Sequence, residues 1–140
     1  MQERKTKYPW RLSLIINFTS VALLIIVFEI LKNTGQNNWL VLLEIALLAI
    51  AIASFIYTFA NTGLFKFTHT KYSSLDEREV QLINRALRYS YSIFTILVLV
   101  IIYVYAIIEN GPIGVVIAAG LLYFAHILPA GILGWTQKRN

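Results

Sequence analysis

The sequence predicts an all-α polytopic membrane protein, a four-transmembrane-helix bundle with a cytoplasmic helical extension of the third helix. Three observations predict it. Of the 140 residues, 58% are hydrophobic and 14% are charged, a balance too apolar for a soluble domain. The apolar residues are gathered into four continuous runs, and the basic residues between those runs are distributed unevenly. Barrel strands would alternate in polarity, whereas continuous runs whose backbone amides must be satisfied within the segment require helices.

Crossing about 30 Å of hydrocarbon takes about 20 helical residues. The spans are read at residues 10–31, 39–60, 89–108 and 112–135, with a cytoplasmic segment at 61–88, all within a single integral membrane domain covering 1–140. The first run follows a basic start, Arg4, Lys5 and Lys7, as a signal peptide would. It is too long for such a segment, carries Glu29 and is followed by Lys32-Asn33-Thr34 with no small-residue cleavage pattern, so it is expected to be a retained helix.

Of the 12 Lys and Arg residues, only Lys32 lies in the first or third loop; Arg4, Lys5, Lys7, Arg11, Lys66, Lys71, Arg78, Arg85, Arg88, Lys138 and Arg139 fall on the other side. The positive-inside rule makes that side cytoplasmic, with both termini inside. The net charge of +5 is thereby read as an orientation signal and an attraction for anionic lipid headgroups, not as a sign of nucleic acid. Trp10, Trp39, Trp135, Tyr8 and Tyr89 fall at the expected interfaces, where amphipathic rings anchor.

Short loops pair the helices. Lys32 to Asn38 joins the first two spans as an antiparallel hairpin, and Asn110-Gly111-Pro112 joins the last two, with Pro112 expected in the first helical turn. Asn61-Thr62-Gly63 closes the second helix, and Leu64 to Ser73 reads as irregular. Ser74 with Glu77 three residues on is a capping-box pattern, so a helix is expected to begin there and run without Gly or Pro into the third span. Arg78, Gln81, Arg85 and Arg88 share one face of that helix, and Val80, Ile83 and Leu87 another. This stem reads either as a snorkelling, membrane-hugging segment or as a docking site for a cytosolic protein through Asp76, Glu77, Arg78 and Glu79.

Asp76-Glu77-Arg78-Glu79, followed by Ile83, Ala86, Tyr91 and Ile93 on the way into an apolar span, resembles the Asp-Glu-Arg signature of small prokaryotic membrane proteins grouped as domains of unknown function. The resemblance implies a prokaryotic plasma membrane. It implies no chemistry.

Ionisable and polar groups inside the spans are the remaining candidates, because each is costly in lipid unless paired or hydrated. Glu29 sits three residues before Lys32, the spacing of a helical ion pair, and Glu109 ends the third helix. Glu44 lies deeper in the second. His126, three residues before Pro129, is expected to face a freed carbonyl at Ala125. Together with Asn17, Ser20, Ser54, Tyr57, Ser92 and Thr95 it would line a cavity open to the cytoplasm; the alternative is hydrogen bonding between helices. Ala46, Ala49 and Ala53, and Gly114, Ala118 and Ala125, are stripes where helices are expected to approach.

No Cys is present, which excludes disulfides and thiolate metal sites, and no nucleophile with a base, metal cluster or phosphate cradle is visible. The reading is therefore a non-catalytic protein, without cofactor or metal, that associates with itself or with a membrane or cytosolic partner. The alternative is a small oligomeric ion- or proton-coupled transporter or channel titrating at Glu44 or His126.

Overall fold

The computed structural model describes the backbone of residues 9–35, 37–109 and 112–136 and the side chains of 11–35, 37–108 and 112–136. The predicted turn residues Asn110 and Gly111 and the side chains of Trp10 and Glu109 lie outside the described residues. The fold is all-α, with helices α1 (Pro9–Thr34), α2 (Asn38–Phe55), α3 (Leu64–Thr68), α4 (Glu77–Tyr103) and α5 (Val115–Thr136) and, among the described residues, no strand. Four stretches are long and apolar enough to cross a membrane: Arg11–Thr34, Asn38–Ala60, Glu77–Ile108 and Val115–Thr136. The chain forms two compact units that divide between Thr62 and Gly63.

In the first unit α1 packs on α2 as a hairpin. Asn37 caps α2 by accepting from the Trp39 amide at 3.1 Å, and Gly35 takes φ of +83° just after α1. A Cβ there would meet nothing within 4 Å, so the glycine serves the left-handed backbone and not a close approach. Past Phe55, α2 continues as a π-helical turn, Ile56–Ala60, in which the Asn61 amide reaches five residues back to the Ile56 carbonyl at 3.0 Å. Gly63, at φ of +71°, then turns the chain out of the helix, as the Asn-Thr-Gly sequence predicts.

In the second unit α5 packs against both α4 and the short α3. The stretch expected to be irregular is thus partly ordered: α3 and a 3₁₀ turn at Tyr72–Ser74 bridge to α4, and the Tyr72 hydroxyl donates to Asn84 Oδ1 at 3.2 Å. The continuous helix from the polar stem into the third span is observed, but its start is two residues later than the sequence pattern indicates. Asp76, not Ser74, is the N-cap. The Glu79 amide donates to Asp76 Oδ1 at 2.7 Å, and Glu79 Oε2 accepts from the Asp76 amide at 3.1 Å. Ser74 instead donates its hydroxyl to the Lys71 carbonyl within the 3₁₀ turn. Both registers satisfy the capping-box spacing; the one that wins uses a carboxylate, a stronger acceptor beside the positive end of the helix.

Helix α5 begins at Val115, three residues beyond Pro112, so Pro112 precedes the helix and does not open its first turn. It runs on through Pro129. Its buried face is Ile117, Gly120, Ile127, Pro129, Ala130, Gly131, Leu133 and Gly134, while Ala118, in the expected small-residue stripe, is exposed. Ala46, Ala49 and Ala53 of α2 are exposed as well, the buried face there being Leu47, Ala51 and Ser54.

Candidate functional site

The largest collection of buried polar groups lies between α1 and α2. Ser13, Asn17 and Ser20 follow i, i+4, i+7 and share a face of α1; Ala51, Ser54 and Thr58 follow i, i+3, i+7 on α2 and the π-helical turn that continues it. The two rows meet. Asn17, fully buried, donates through Nδ2 to the Ala51 carbonyl at 3.0 Å and to Ser54 Oγ at 3.1 Å. Ser54 donates its own hydroxyl hydrogen bond to the Ala51 carbonyl at 3.0 Å, and Ser20 donates to the Asn17 carbonyl at 2.9 Å. One turn toward the polar connection, the Ser13 and Thr58 hydroxyls are hydrogen bonded, and Thr62 donates to the Thr58 carbonyl.

This seam is closed to solvent, with Ser13, Asn17, Ser20, Ser54 and Thr58 all buried. Phe59 seals its flank: it is fully buried, meets Phe18 edge-on at 6.5 Å between ring centres, and lies 5.6 Å from Phe55. In a hydrocarbon surrounding, apolar contact gives helices little reason to associate, and interhelical hydrogen bonds of about 0.6 kcal/mol each supply part of it. The three bonds that cross from α1 to α2 therefore contribute about 2 kcal/mol. They also fix the axial register, because sliding one helix by a residue would separate every pair.

The sequence-derived cavity residues fare differently. Asn17, Ser20 and Ser54 are brought together as just described. Tyr57 is half exposed and points away from the seam that its neighbour Thr58 enters. In the second unit, Thr95 donates to the Tyr91 carbonyl at 2.8 Å, Ser92 to the Arg88 carbonyl at 3.1 Å, and His126, an exposed residue, through Nδ1 to the Leu122 carbonyl at 2.8 Å. The imidazole thus turns one helical turn back on its own helix, to Leu122 and not to Ala125. Ser13 and Thr58 are the members that sequence reasoning missed; the signal available was their helical spacing from Asn17 and Ser54.

Among the carboxylates, Glu29 pairs with Lys32 at 3.6 Å, as their spacing predicts, and Glu29 Oε1 is buried without a hydrogen bond. Glu44 is half-buried and has neither ion pair nor hydrogen bond among the described residues. On the polar stem, Asp76 and Glu79 are tied to each other's backbone by the cap, while Glu77 and Arg78 are exposed. No group of three or more His, Asp or Glu able to share a metal ion occurs among the described residues.

Four helices of spanning length and composition, one pair joined by a buried polar seam, define a multi-pass α-helical membrane protein. No protein-family model, curated protein or solved structure matches the chain.

Proposed function

We propose that this chain is a non-catalytic protein of a prokaryotic plasma membrane that acts through association, with a second copy or with a membrane or cytosolic partner. In this reading both termini and the 61–88 segment lie in the cytoplasm, as the one-sided distribution of Lys and Arg indicates. The observation that carries it is the seam: its hydroxyl and amide groups bond across α1 and α2 or back onto their own helix. Ser90, Ser92, Thr95 and His126 each bond the carbonyl four residues back. The groups bonded across the seam hold α1 to α2 and the others are satisfied on their own helix, whereas a solute path needs groups that exchange partners with the solute.

One observation favours a second reading. Glu44 is a half-buried carboxylate in a spanning segment without a partner among the described residues, the kind of group through which a small oligomeric transporter takes up a proton or cation.

Reconstitution separates the two. The association reading predicts a defined assembly when molecular mass is measured in lipid nanodiscs, and vesicles that show no proton or cation flux above protein-free controls. A monomeric mass with no protein recovered by cross-linking in native membranes would remove it. Flux carried by the wild type and lost in Glu44→Gln or His126→Ala would replace it with transport. For the cytosolic partner, Glu77→Lys is the informative substitution, since Glu77 is exposed and outside the cap.

A further inference from the structure

Helix α4 is longer than a membrane requires. If the apolar stretch 89–108 crosses the hydrocarbon, as its length of about 20 residues allows, then Glu77 to Arg88 forms a stem that rises about 18 Å beyond the boundary at about 1.5 Å per residue. The headgroup layer on each side is only about 5–8 Å deep. Arg88 stands at its floor and Arg85 about 5 Å above, within the phosphate layer, while Arg78 lies about 15 Å up, in water.

Those two arginines are chemically unoccupied. Both are exposed, and neither makes an ion pair or side-chain hydrogen bond among the described residues. Their helical neighbours carry no acid: Gln81, Leu82, Arg88 and Tyr89 flank Arg85, and Asn84, Arg85, Tyr91 and Ser92 flank Arg88. The carboxylates closest in sequence are Glu79, which is engaged in the cap, and Glu77, which stands eight residues before Arg85 and so about 12 Å further along the axis. Tyr89, 56% exposed, follows Arg88 directly and lies one turn from Arg85, so it offers an amphipathic ring at the depth of Arg88.

We infer that Arg85 and Arg88, with Tyr89, form a binding site for the phosphate group of an anionic phospholipid. A guanidinium presents a planar fork of donors to phosphate oxygens, and an unpaired fork held at headgroup depth by a continuous helix meets the phosphate without reorganisation of the backbone. Arg78 is excluded by distance. It stands about 10 Å further along the axis from Arg85, beyond the Debye length of about 8 Å at physiological salt. The inference depends on α4 crossing the bilayer and not on self-association or a protein partner, so either can fail without the other.

Native mass spectrometry of the full chain, released from nanodiscs of phosphatidylcholine with graded phosphatidylglycerol, tests it. Phosphatidylglycerol should be retained and phosphatidylcholine not. Arg85→Gln or Arg88→Gln should weaken retention about fivefold each and the pair about 30-fold, with Arg78→Gln changing it less than about twofold. The paired Arg-to-Lys variant keeps the charge and should retain more lipid than the paired Gln variant. Equal retention of the two lipids, unchanged retention in the Gln pair, or a loss in Arg78→Gln as large as in Arg88→Gln would overturn the site. Displacement of the lipid by millimolar inorganic phosphate would show a free-anion site and overturn the lipid assignment.

Discussion

The two hairpins use different means to hold antiparallel helices together. Among the described residues, α1 and the α2 segment bury five polar side chains, Ser13, Asn17, Ser20, Ser54 and Thr58, and contain no glycine. The α4 and α5 pair buries one, Ser90, whose hydroxyl returns to the Ala86 carbonyl, while α5 buries Gly120, Gly131 and Gly134 along with Ala130. The first solution is directional and sets register through named pairs. The second lines its buried face with small residues, the kind that let backbones approach closely. Since lipid tails are as apolar as leucine, both answer the same problem: association has to come from something other than hiding apolar surface.

The contrast can be broken most severely on the glycine side. Gly131→Leu should overpack the buried face of α5 and cost about 1–3 kcal/mol in unfolding by SDS titration. Ala49→Leu, on the exposed face of α2, should leave the midpoint unchanged. A Gly131→Leu variant as stable as the wild type would mean that α5 is not held by close approach. A smaller effect is expected from Asn17→Leu, which removes two donors that cross the first hairpin and should cost about 1–2 kcal/mol. The smallest belongs to the Ser13 and Thr58 pair: a double-mutant cycle with Ser13→Ala and Thr58→Val should return a coupling of about 0.6 kcal/mol. Zero coupling there, together with a large Asn17 effect, would confine the directional solution to a single amide.

The spans were legible because apolar runs of that length have few other uses, and the Glu29 and Lys32 pair because helical spacing decides it. Harder to read was anything requiring a choice between equivalent patterns. Ser74 to Glu77 and Asp76 to Glu79 both fit a capping box, and the decision fell to a 3₁₀ turn that draws the Ser74 hydroxyl to Lys71. The alanine stripe on α2 looked like a packing face, yet the face carrying Ser54 and Thr58 is the buried one, since hydrogen-bonding partners on α1 outweigh small size. The sequence reading places Tyr57, and not Thr58, in the polar set. A tyrosine advertises a polar atom, but a threonine one residue on fits the spacing from Ser54, and only one of two adjacent positions faces the seam.

The seam also has a consequence for biosynthesis. Asn17 finds its acceptors on a helix whose contacting residue, Ala51, is made 34 residues later. At about 5–20 residues per second, the ribosome leaves the amide of Asn17 without its native partners for about 2–7 s. During that interval the Ser20 hydroxyl already has its acceptor on α1, the Asn17 carbonyl, whereas Ser13 and Asn17 await α2 and the turn that follows it for their seam partners. The hairpin, not the single helix, is thus the smallest unit in which the Asn17 side chain has these acceptors.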